Sequence, residues 1–283
     1  MGISKTKRVF LMLLCFIFFG ILSSCNSKES QEDDLFADDL WLSEAYVEAT
    51  VLQNGSLSVK ETWTVETSSE DGYRNIYRTI DTYDSVFNTA SDFTFDGIIN
   101  NSTGKDFPLE KEIKQMQLNS AYEYNTTHYV NSSYAITTDE NKYEIGVIIP
   151  KLCKGEKLSL TFNYTLSNFV RAYADTAEFF WIGYSSDFIP IKKLEIKLTM
   201  PSNVDYANQE QSLIWYHGQK DGKITFEKNV AFLTIQKTEP NASVEIRSIV
   251  PRSSFSSLAK VSTSEVKNTI IEQERVWFET NNR

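Results

Sequence analysis

Apolar and polar residues alternate with a period of two along several stretches of this 283-residue chain. The clearest stretch is 158–166, in which Leu, Leu, Phe, Tyr and Leu alternate with Ser, Thr, Asn and Thr. The same rhythm recurs at 45–51, 57–65, 143–149, 194–200, 224–226, 230–236 and 244–250. A period of two gives a strand one apolar and one polar face. The pattern therefore predicts a mainly β fold: an antiparallel β-sandwich, Ig-like or jelly-roll-like, over residues 41–257.

A short polar connection that contains Asn54-Gly55 separates the stretches 45–51 and 57–65. This pair tolerates the positive φ angles of tight hairpin turns. We therefore expect residues 45–51 and 57–65 to form a hairpin.

Two regions depart from the alternation. Residues 100–141 are rich in Asn, Ser, Thr and Tyr, and we expect long loops or an irregular insertion there. Residues 258–283 predict a C-terminal helix, because Ser262 and Glu265 can form a capping box and because apolar residues recur at helical spacing. The residues of that apolar stripe are Val266, Ile270 and Trp277, with Ile271 and Phe278 beside it.

The N-terminus reads as an export signal. Lys5, Lys7 and Arg8 precede a thirteen-residue apolar run, Val9 to Ile21, which is short for a membrane span. The next four residues, Leu22-Ser23-Ser24-Cys25, resemble the lipobox of bacterial lipoproteins. We therefore predict a signal peptide over 1–24, lipidation of Cys25 and an acidic tether over 25–40. An ordinary cleaved signal and an uncleaved anchor are the alternatives.

Charge restricts the partners of the exported protein. Without residues 1–24, 25 Lys and Arg stand against 38 Asp and Glu, a formal charge of −13. An acidic surface argues against binding to nucleic acid or to anionic lipid headgroups, so the lipid on Cys25 would be the contact with the membrane. Three cysteines and two histidines exclude a Cys-rich zinc site. We predict no metal and no cofactor.

Glu61 stands on the apolar face of its predicted strand, between Val59 and Trp63. A buried carboxylate without a partner costs several kcal/mol, so Glu61 needs a cation, and Arg74 and Arg78 are the nearest candidates. Asp175 and Glu178 could join them. We predict a structural charge cluster of these five residues. A ligand or cation site, or a pair of catalytic carboxylates, remains an alternative use of the same groups.

Aromatic residues offer candidate ligand contacts. Tyrosines lie among the amides and hydroxyls of the 100–141 region, where aromatic faces can stack on sugars or hold a peptide, and packing residues are the alternative. The candidates are Tyr122, Tyr124, Tyr129 and Tyr134, together with Trp181.

Several short signatures occur in a fixed order along the chain. They are Asn54-Gly55-Ser56-Leu57 with Val59 and Glu61; Gly72 and Ile76-Tyr77-Arg78-Thr79-Ile80; Tyr173, Asp175, Glu178 and Trp181; and Ile249-Val250-Pro251 before Phe255. Over residues 44–255 the chain resembles the extracytoplasmic domain of bacterial predicted membrane proteins classed as domain of unknown function 2207. The resemblance implies an export signal, an outer β-rich domain and then transmembrane helices. The chain departs from it by its lipobox and by lacking a later apolar run of membrane length.

The sequence is compatible with three hypotheses for the function. The first is a non-enzymatic, lipid-anchored protein on the extracytoplasmic side of a bacterial cell membrane, with a binding or structural role toward an envelope protein or glycan. The second is the outer sensory domain of a longer membrane protein, cut before its transmembrane helices. The third is a cell-wall glycan hydrolase that uses Asp175 and Glu178 as acid and base.

Overall fold

A computed structural model of the chain describes residues 39–111, 113, 127–139, 141–185, 189–238 and 243–281. The signal peptide, Cys25 and the tether up to residue 38 lie outside the described residues. The described part is mainly β, with a helix at its C-terminal end, which confirms the predicted fold class.

Strands are numbered along the chain, and most of them belong to three sheets. In order across the sheet, the largest contains β15 (Lys223–Glu227), β16 (Val230–Ile235), β13 (Leu194–Thr199), β1 (Leu40–Val51), β2 (Leu57–Thr67), β10 (Lys157–Ser167), β6 (Asp92–Asn100) and β7 (Lys105–Asp106). The second contains β14 (Leu213–His217), β17 (Ser243–Val250), β12 (Ala177–Ser185), β11 (Arg171–Ala172) and β18 (Lys260–Val261). The third contains β3 (Tyr73–Asp81), β9 (Lys142–Leu152) and β8 (Ser132–Asp139).

Two short strands, β4 (Tyr83–Asp84) and β5 (Thr89–Ala90), form a separate hairpin. Most strand pairs are antiparallel, but β1 pairs with β13 in parallel and β11 pairs with β18 in parallel. The sheets therefore contain parallel as well as antiparallel pairs, whereas the sequence predicted antiparallel pairing. The chain passes through the five-stranded sheet before it returns as β13, and this crossover lets β13 run in the direction of β1.

The core follows the alternation that the sequence shows. In β10, Leu160, Phe162, Tyr164 and Leu166 are all at most 2% exposed, and they belong to one apolar cluster with Phe179 of β12. Complete burial of a side chain such as Phe162 contributes about 1.5–3 kcal/mol. The period of two thus orients β10 correctly and places its apolar face in the shared core.

The predicted hairpin is present between β1 and β2, with Val51 opposite Leu57. Gly55 has a φ of +78°, and Oδ1 of Asn54 accepts a hydrogen bond of 3.1 Å from the backbone N–H of Ser56. A Cβ atom at Gly55 would collide with the side chain of Leu258. The positive φ therefore favours glycine in this turn, and Leu258 from a distant segment packs closely against it.

The prediction of loops throughout residues 100–141 is wrong in part. Residues 105–106 form β7 and residues 132–139 form β8, which pairs with β9. The alternation in β8 is hidden because neighbouring Ser133 and Tyr134 are both fully buried. Two successive buried residues break the alternation that marks a strand with one solvent-facing side.

The C-terminal helix, α1, runs over Lys267–Asn281, later than predicted, because residues 260–261 form β18. The proposed capping box does not begin it. The carboxylate of Asp175 accepts hydrogen bonds of 3.0 Å from the backbone N–H groups of Val266 and Lys267 and caps the first turn from a distant loop. Among the described residues, no helix has the length and the apolar composition that crossing a bilayer requires.

Candidate functional site

Glu61 of β2 is fully buried and forms a salt bridge with Arg78 of β3, with 3.3 Å between Oε1 and Nε. The same oxygen accepts a hydrogen bond of 2.7 Å from the hydroxyl of Tyr164, and Oε2 accepts one of 3.1 Å from Nε1 of Trp63. Three donors therefore compensate the burial of this carboxylate. The tyrosine and tryptophan donors are not apparent from the sequence.

The surroundings of the pair keep Arg78 charged and Tyr164 protonated. Burial alone would lower the pKa of Arg78, but the charge of Glu61, the neighbouring Tyr164 and Tyr184 and the hydrogen bond to Glu61 together outweigh burial and raise that pKa. Burial, and then the charge of Glu61, raises the pKa of Tyr164 well above its ordinary value. The tyrosine thus remains a hydrogen-bond donor, and the guanidinium also lies 5.7 Å from the ring centre of Tyr184.

Two members of the predicted charge cluster lie elsewhere. Arg74 is half-exposed and makes no ion pair with any residue that the structure describes, because the register of β3 shifts between Tyr73 and Asn75 and separates it from the inward positions. Asp175 is exposed and caps α1. Glu178 does not contact Glu61 and belongs to a second group of charges.

This second group is a line of alternating charges, here called the ionic row. Its members, in order of contact, are Lys260, Asp84, Arg171, Glu178, Arg247, Glu274, His217 and Glu245. These residues come from several β strands and from α1. Among them, only Glu178 was predicted from the sequence as a member of a charge cluster.

The first half of the row is the more deeply buried. Oδ2 of Asp84 lies 3.1 Å from Nζ of Lys260 and 2.8 Å from Nε of Arg171. Arg171 then reaches Oε2 of Glu178 at 3.1 Å, and the hydroxyl of Tyr173 lies at the same distance from that oxygen. Burial and the nearby charge of Arg171 lower the pKa of Lys260, although Asp84 opposes the shift.

The second half of the row attaches α1 to the five-stranded sheet. Arg247 of β17 lies 2.7 Å from Oε1 of Glu178 and 2.9 Å from Oε1 of Glu274. Glu274, on the inner face of α1, also lies 2.6 Å from Nε2 of His217. The ring of His217 stacks on Trp277 of the helix, with 4.3 Å between ring centres.

His217 is charged at neutral pH. Burial opposes its protonation, but hydrogen bonds and charges from Glu245 and Glu274 outweigh burial and raise its pKa to about 9. With His217 protonated, the four cations of the row match its four carboxylates. The row is then electrically neutral, as a partly buried set of charges should be.

One of the predicted aromatic ligand contacts, Tyr134, lies where a ligand could not touch it. Tyr134 is fully buried in β8, and its hydroxyl lies 2.7 Å from Oε1 of Glu144 and 3.0 Å from Oδ1 of Asn75. Its ring passes over Gly146, where a Cβ atom would lie 2.6 Å from it, so Tyr134 is a packing residue.

The other aromatic candidates differ in where they lie. Trp181 is 4% exposed and contacts Phe179, although it also contributes to the apolar wall of a cleft. Tyr129 is half-buried beside His128. Tyr122 and Tyr124 lie outside the described residues.

The cleft, here called the seam cleft, has a volume of about 410 Å³ and opens where the three sheets meet. Arg78 of the buried pair lines it on one side, and Asp84, Arg171 and Lys260 of the ionic row line it on another. Both groups of charges thus end at one cavity. Small-molecule sites in proteins have volumes of a few hundred Å³ and combine apolar walls with a few polar groups, as this cleft does.

The sequence matches the family model described as "Predicted membrane protein (DUF2207) N-terminal domain" over residues 42–250. The chain belongs to this family. The matched range of the DUF2207 domain contains Glu61 and Arg78 and six members of the ionic row, whereas Lys260 and Glu274 lie beyond it. A search of curated protein sequences found no match to the chain.

Some solved structures resemble the DUF2207 chain in part. The M1 zinc metallopeptidase from Deinococcus radiodurans is 13% identical, with a TM-score of 0.38 over 74% of this chain and 42% of that one. A putative protease from Parabacteroides distasonis is 10% identical, with a TM-score of 0.41 over 76% and 41%. Leukotriene A4 hydrolase from Saccharomyces cerevisiae is 9% identical, with a TM-score of 0.45 over 75% and 29%. The chain spans less than half the length of each.

The residues that sequence reasoning missed carry only a weak signal. Arg247 and Glu245 alternate with Val244 and Ile246, so the sequence alone predicts that they lie on a solvent-exposed face of β17. That face is in fact covered by α1, which contributes Glu274. Glu178 carried the better signal, since it is a lone acid within an otherwise apolar strand.

Proposed function

We propose that this protein is a lipid-anchored domain on the extracytoplasmic side of a bacterial membrane and that it binds a component of the envelope without chemistry of its own. The observation that carries the proposal is the sequence Leu22-Ser23-Ser24-Cys25 after a basic region and a short apolar run. Membership of a family of predicted membrane proteins supports the association with a membrane. Acyl chains on Cys25 would supply stable anchoring, because each buried methylene contributes about 0.8 kcal/mol.

A binding role is supported by the seam cleft. The cleft combines buried charges with exposed apolar groups, since Tyr83 and Ile182 at its edge are 48% and 46% exposed. A rigid frame surrounds it, because the ionic row and the Glu61–Arg78 pair hold its polar walls in one arrangement. Preformed walls of this kind reduce the entropic cost of holding a ligand.

The hydrolase hypothesis has less support. It needs two carboxyl groups that face one substrate across several ångströms. Asp175 is used as a helix cap, and Glu178 accepts hydrogen bonds from Arg171, Arg247 and Tyr173. Both carboxylates are therefore engaged in contacts within the fold, and no contact among the described residues brings the two together.

Lipidation is tested by expressing the full chain in its bacterial host with a radiolabelled or clickable palmitate. The parent protein should incorporate the label and sediment with membranes. The Cys25→Ser variant should lose the label and either remain unprocessed or appear in the medium. Cys153→Ser is the matched control and should retain the label. Labelling of Cys25→Ser at the level of the parent would reject the anchor.

An outer sensory domain of a longer membrane protein is the second candidate. The family description, which names an N-terminal domain of predicted membrane proteins, favours it. The gene sequence downstream of the codon for Arg283 distinguishes the two candidates, because a sensor requires an apolar span there.

A further inference from the structure

More basic than acidic side chains line the seam cleft, although Glu61 and Glu178, which do not line it, pair with Arg78 and Arg171. Its lining contains four basic residues and two acidic ones, whereas the whole chain has a formal charge of −10. The ionic row also begins at the cleft with a cation, Lys260, and ends away from it with a carboxylate, Glu245. An anion in the cleft would therefore contact more basic than acidic groups.

The cationic groups of the cleft retain hydrogen-bonding capacity. Lys260 is 5% exposed and donates to Oγ of Ser91 at 3.2 Å and to Asp84, which leaves one of its three protons. Arg171 uses Nε and Nη1, and no acceptor within the described ranges bonds its Nη2. Lys142 at the cleft is exposed and makes no ion pair with the described residues.

Of the two carboxylates that line the cleft, Asp84 has both oxygens engaged by donors. Oδ2 of Asp84 serves Arg171 and Lys260, while Oδ1 accepts from the backbone N–H groups of Val86 and Phe87 at 3.0 and 3.3 Å. Asp81 is exposed at the edge and accepts from the N–H of Tyr83 at 2.9 Å. Few acceptors are left for a cation or a neutral hydrogen-bond donor, and the remaining donors need an acceptor.

We propose that the seam cleft binds a small ligand through an anionic oxygen group, a phosphate or a carboxylate, held by Lys260, Arg171 and Lys142. Phe180, Ile182 and Tyr83 line the same cleft and would pack against the apolar or flat body of the ligand. The volume of about 410 Å³ suits a ligand of monosaccharide to disaccharide size. This inference deepens the proposed function and rests on the chain being a binding domain.

Titration calorimetry on the purified full chain tests this inference, with inorganic phosphate and acetate as separate probes at constant ionic strength. We expect saturable one-to-one binding of at least one anion. Phosphate as the tighter probe indicates a phosphorylated ligand, and acetate as the tighter probe indicates a carboxylate. Absence of saturable binding for both anions would overturn the proposal.

Variants locate the bound anion. Lys142→Gln should weaken binding about threefold, as expected for an exposed charge. Lys260→Gln should weaken it roughly tenfold, because its ammonium is buried. Lys223→Gln, an exposed lysine on β15 outside the cleft, is the matched control and should bind like the parent.

Thermal melts establish that each variant is folded, and if Lys260→Gln unfolds, Lys142→Gln decides. Binding unaffected by Lys142→Gln would place the anion elsewhere and contradict the assignment. Calorimetry on purified protein does not depend on the lipid, so loss of anion binding and loss of anchoring are separate outcomes.

Discussion

Arg247 of β17 and Glu274 of α1 form a salt bridge of 2.9 Å between Nη1 and Oε1. Glu274 lies on the inner face of the helix, beside Ile270, and both are nearly fully buried. The helix is therefore held to the sheet by a charged contact together with a small apolar one. Its attachment should respond to changes in charge that leave the sheets intact.

Replacement of Glu274 by Ala should detach α1 locally. The variant leaves Arg247 and His217 with one carboxylate partner fewer, and we expect a loss of about 1–3 kcal/mol, reduced by water near the helix. Hydrogen exchange of the amides of 267–281 should accelerate, while exchange in β10 stays slow. Glu272→Ala is the control, since Glu272 is exposed and pairs within the helix with Arg275. Equal exchange in both variants would contradict the role of Glu274.

The attachment of α1 should also weaken as the pH rises. The pKa of His217 is raised to about 9, so its contribution is complete below its ordinary value of 6.5 and is lost as the pH rises through about 9. Glu245, Glu274 and Arg247 are the charged groups around it. We expect a loss of about 1–2 kcal/mol between pH 6 and pH 9.5 after allowance for solvent. Unfolding free energies across this range measure it, and a His217→Gln variant with the same pH dependence as the parent would refute the assignment.

Replacement of Glu61 by Ala should destabilise the whole domain by about 3–5 kcal/mol, because Arg78 would be left buried without its counter-charge. Chemical denaturation of the full chain provides the measurement. Glu48→Ala is a matched control, since Glu48 pairs with Lys60 and Lys197 at the surface and should change stability by less than about 1 kcal/mol. A Glu61→Ala protein as stable as the control would show that the pair contributes nothing.

Replacement of Asp175 by Ala should cost about 0.5–2 kcal/mol through the loss of two hydrogen bonds to the first turn of α1. Circular dichroism and a thermal melt of the full chain are the measurements. Glu265→Ala provides the comparison, because the sequence suggested Glu265 as part of the cap and the structure assigns the cap to Asp175. A larger effect from Glu265 would reverse that assignment.

Much of the fold can be predicted from the sequence wherever a strand has one solvent-exposed face and one buried face. The hairpin of β1 and β2 and the orientation of β10 follow from this rule. The rule fails for β12, where Glu178 and Phe179 are both buried. It also fails for β8, because its buried neighbours face different parts of the interior.

The candidate site is only partly predictable. Glu61 could be identified because an acid on an apolar face requires a partner, and Arg78 is close in sequence. The ionic row joins segments that are far apart in sequence, such as Asp84, Arg171 and Lys260. Individually these residues look like ordinary surface charges, and only the approach of the sheets and α1 brings them together.

The position of β1 determines how the domain responds to mechanical tension. Its twelve residues lie between β2 and β13, and the strand begins at Leu40, directly after the N-terminal region. A force applied to Leu40 along the strand axis would act on β1 directly. It loads the backbone hydrogen bonds on both sides of β1 together, in shear, and not one after another. The domain should therefore withstand being pulled from its N-terminal end better than from its C-terminal end, where α1 can peel away first.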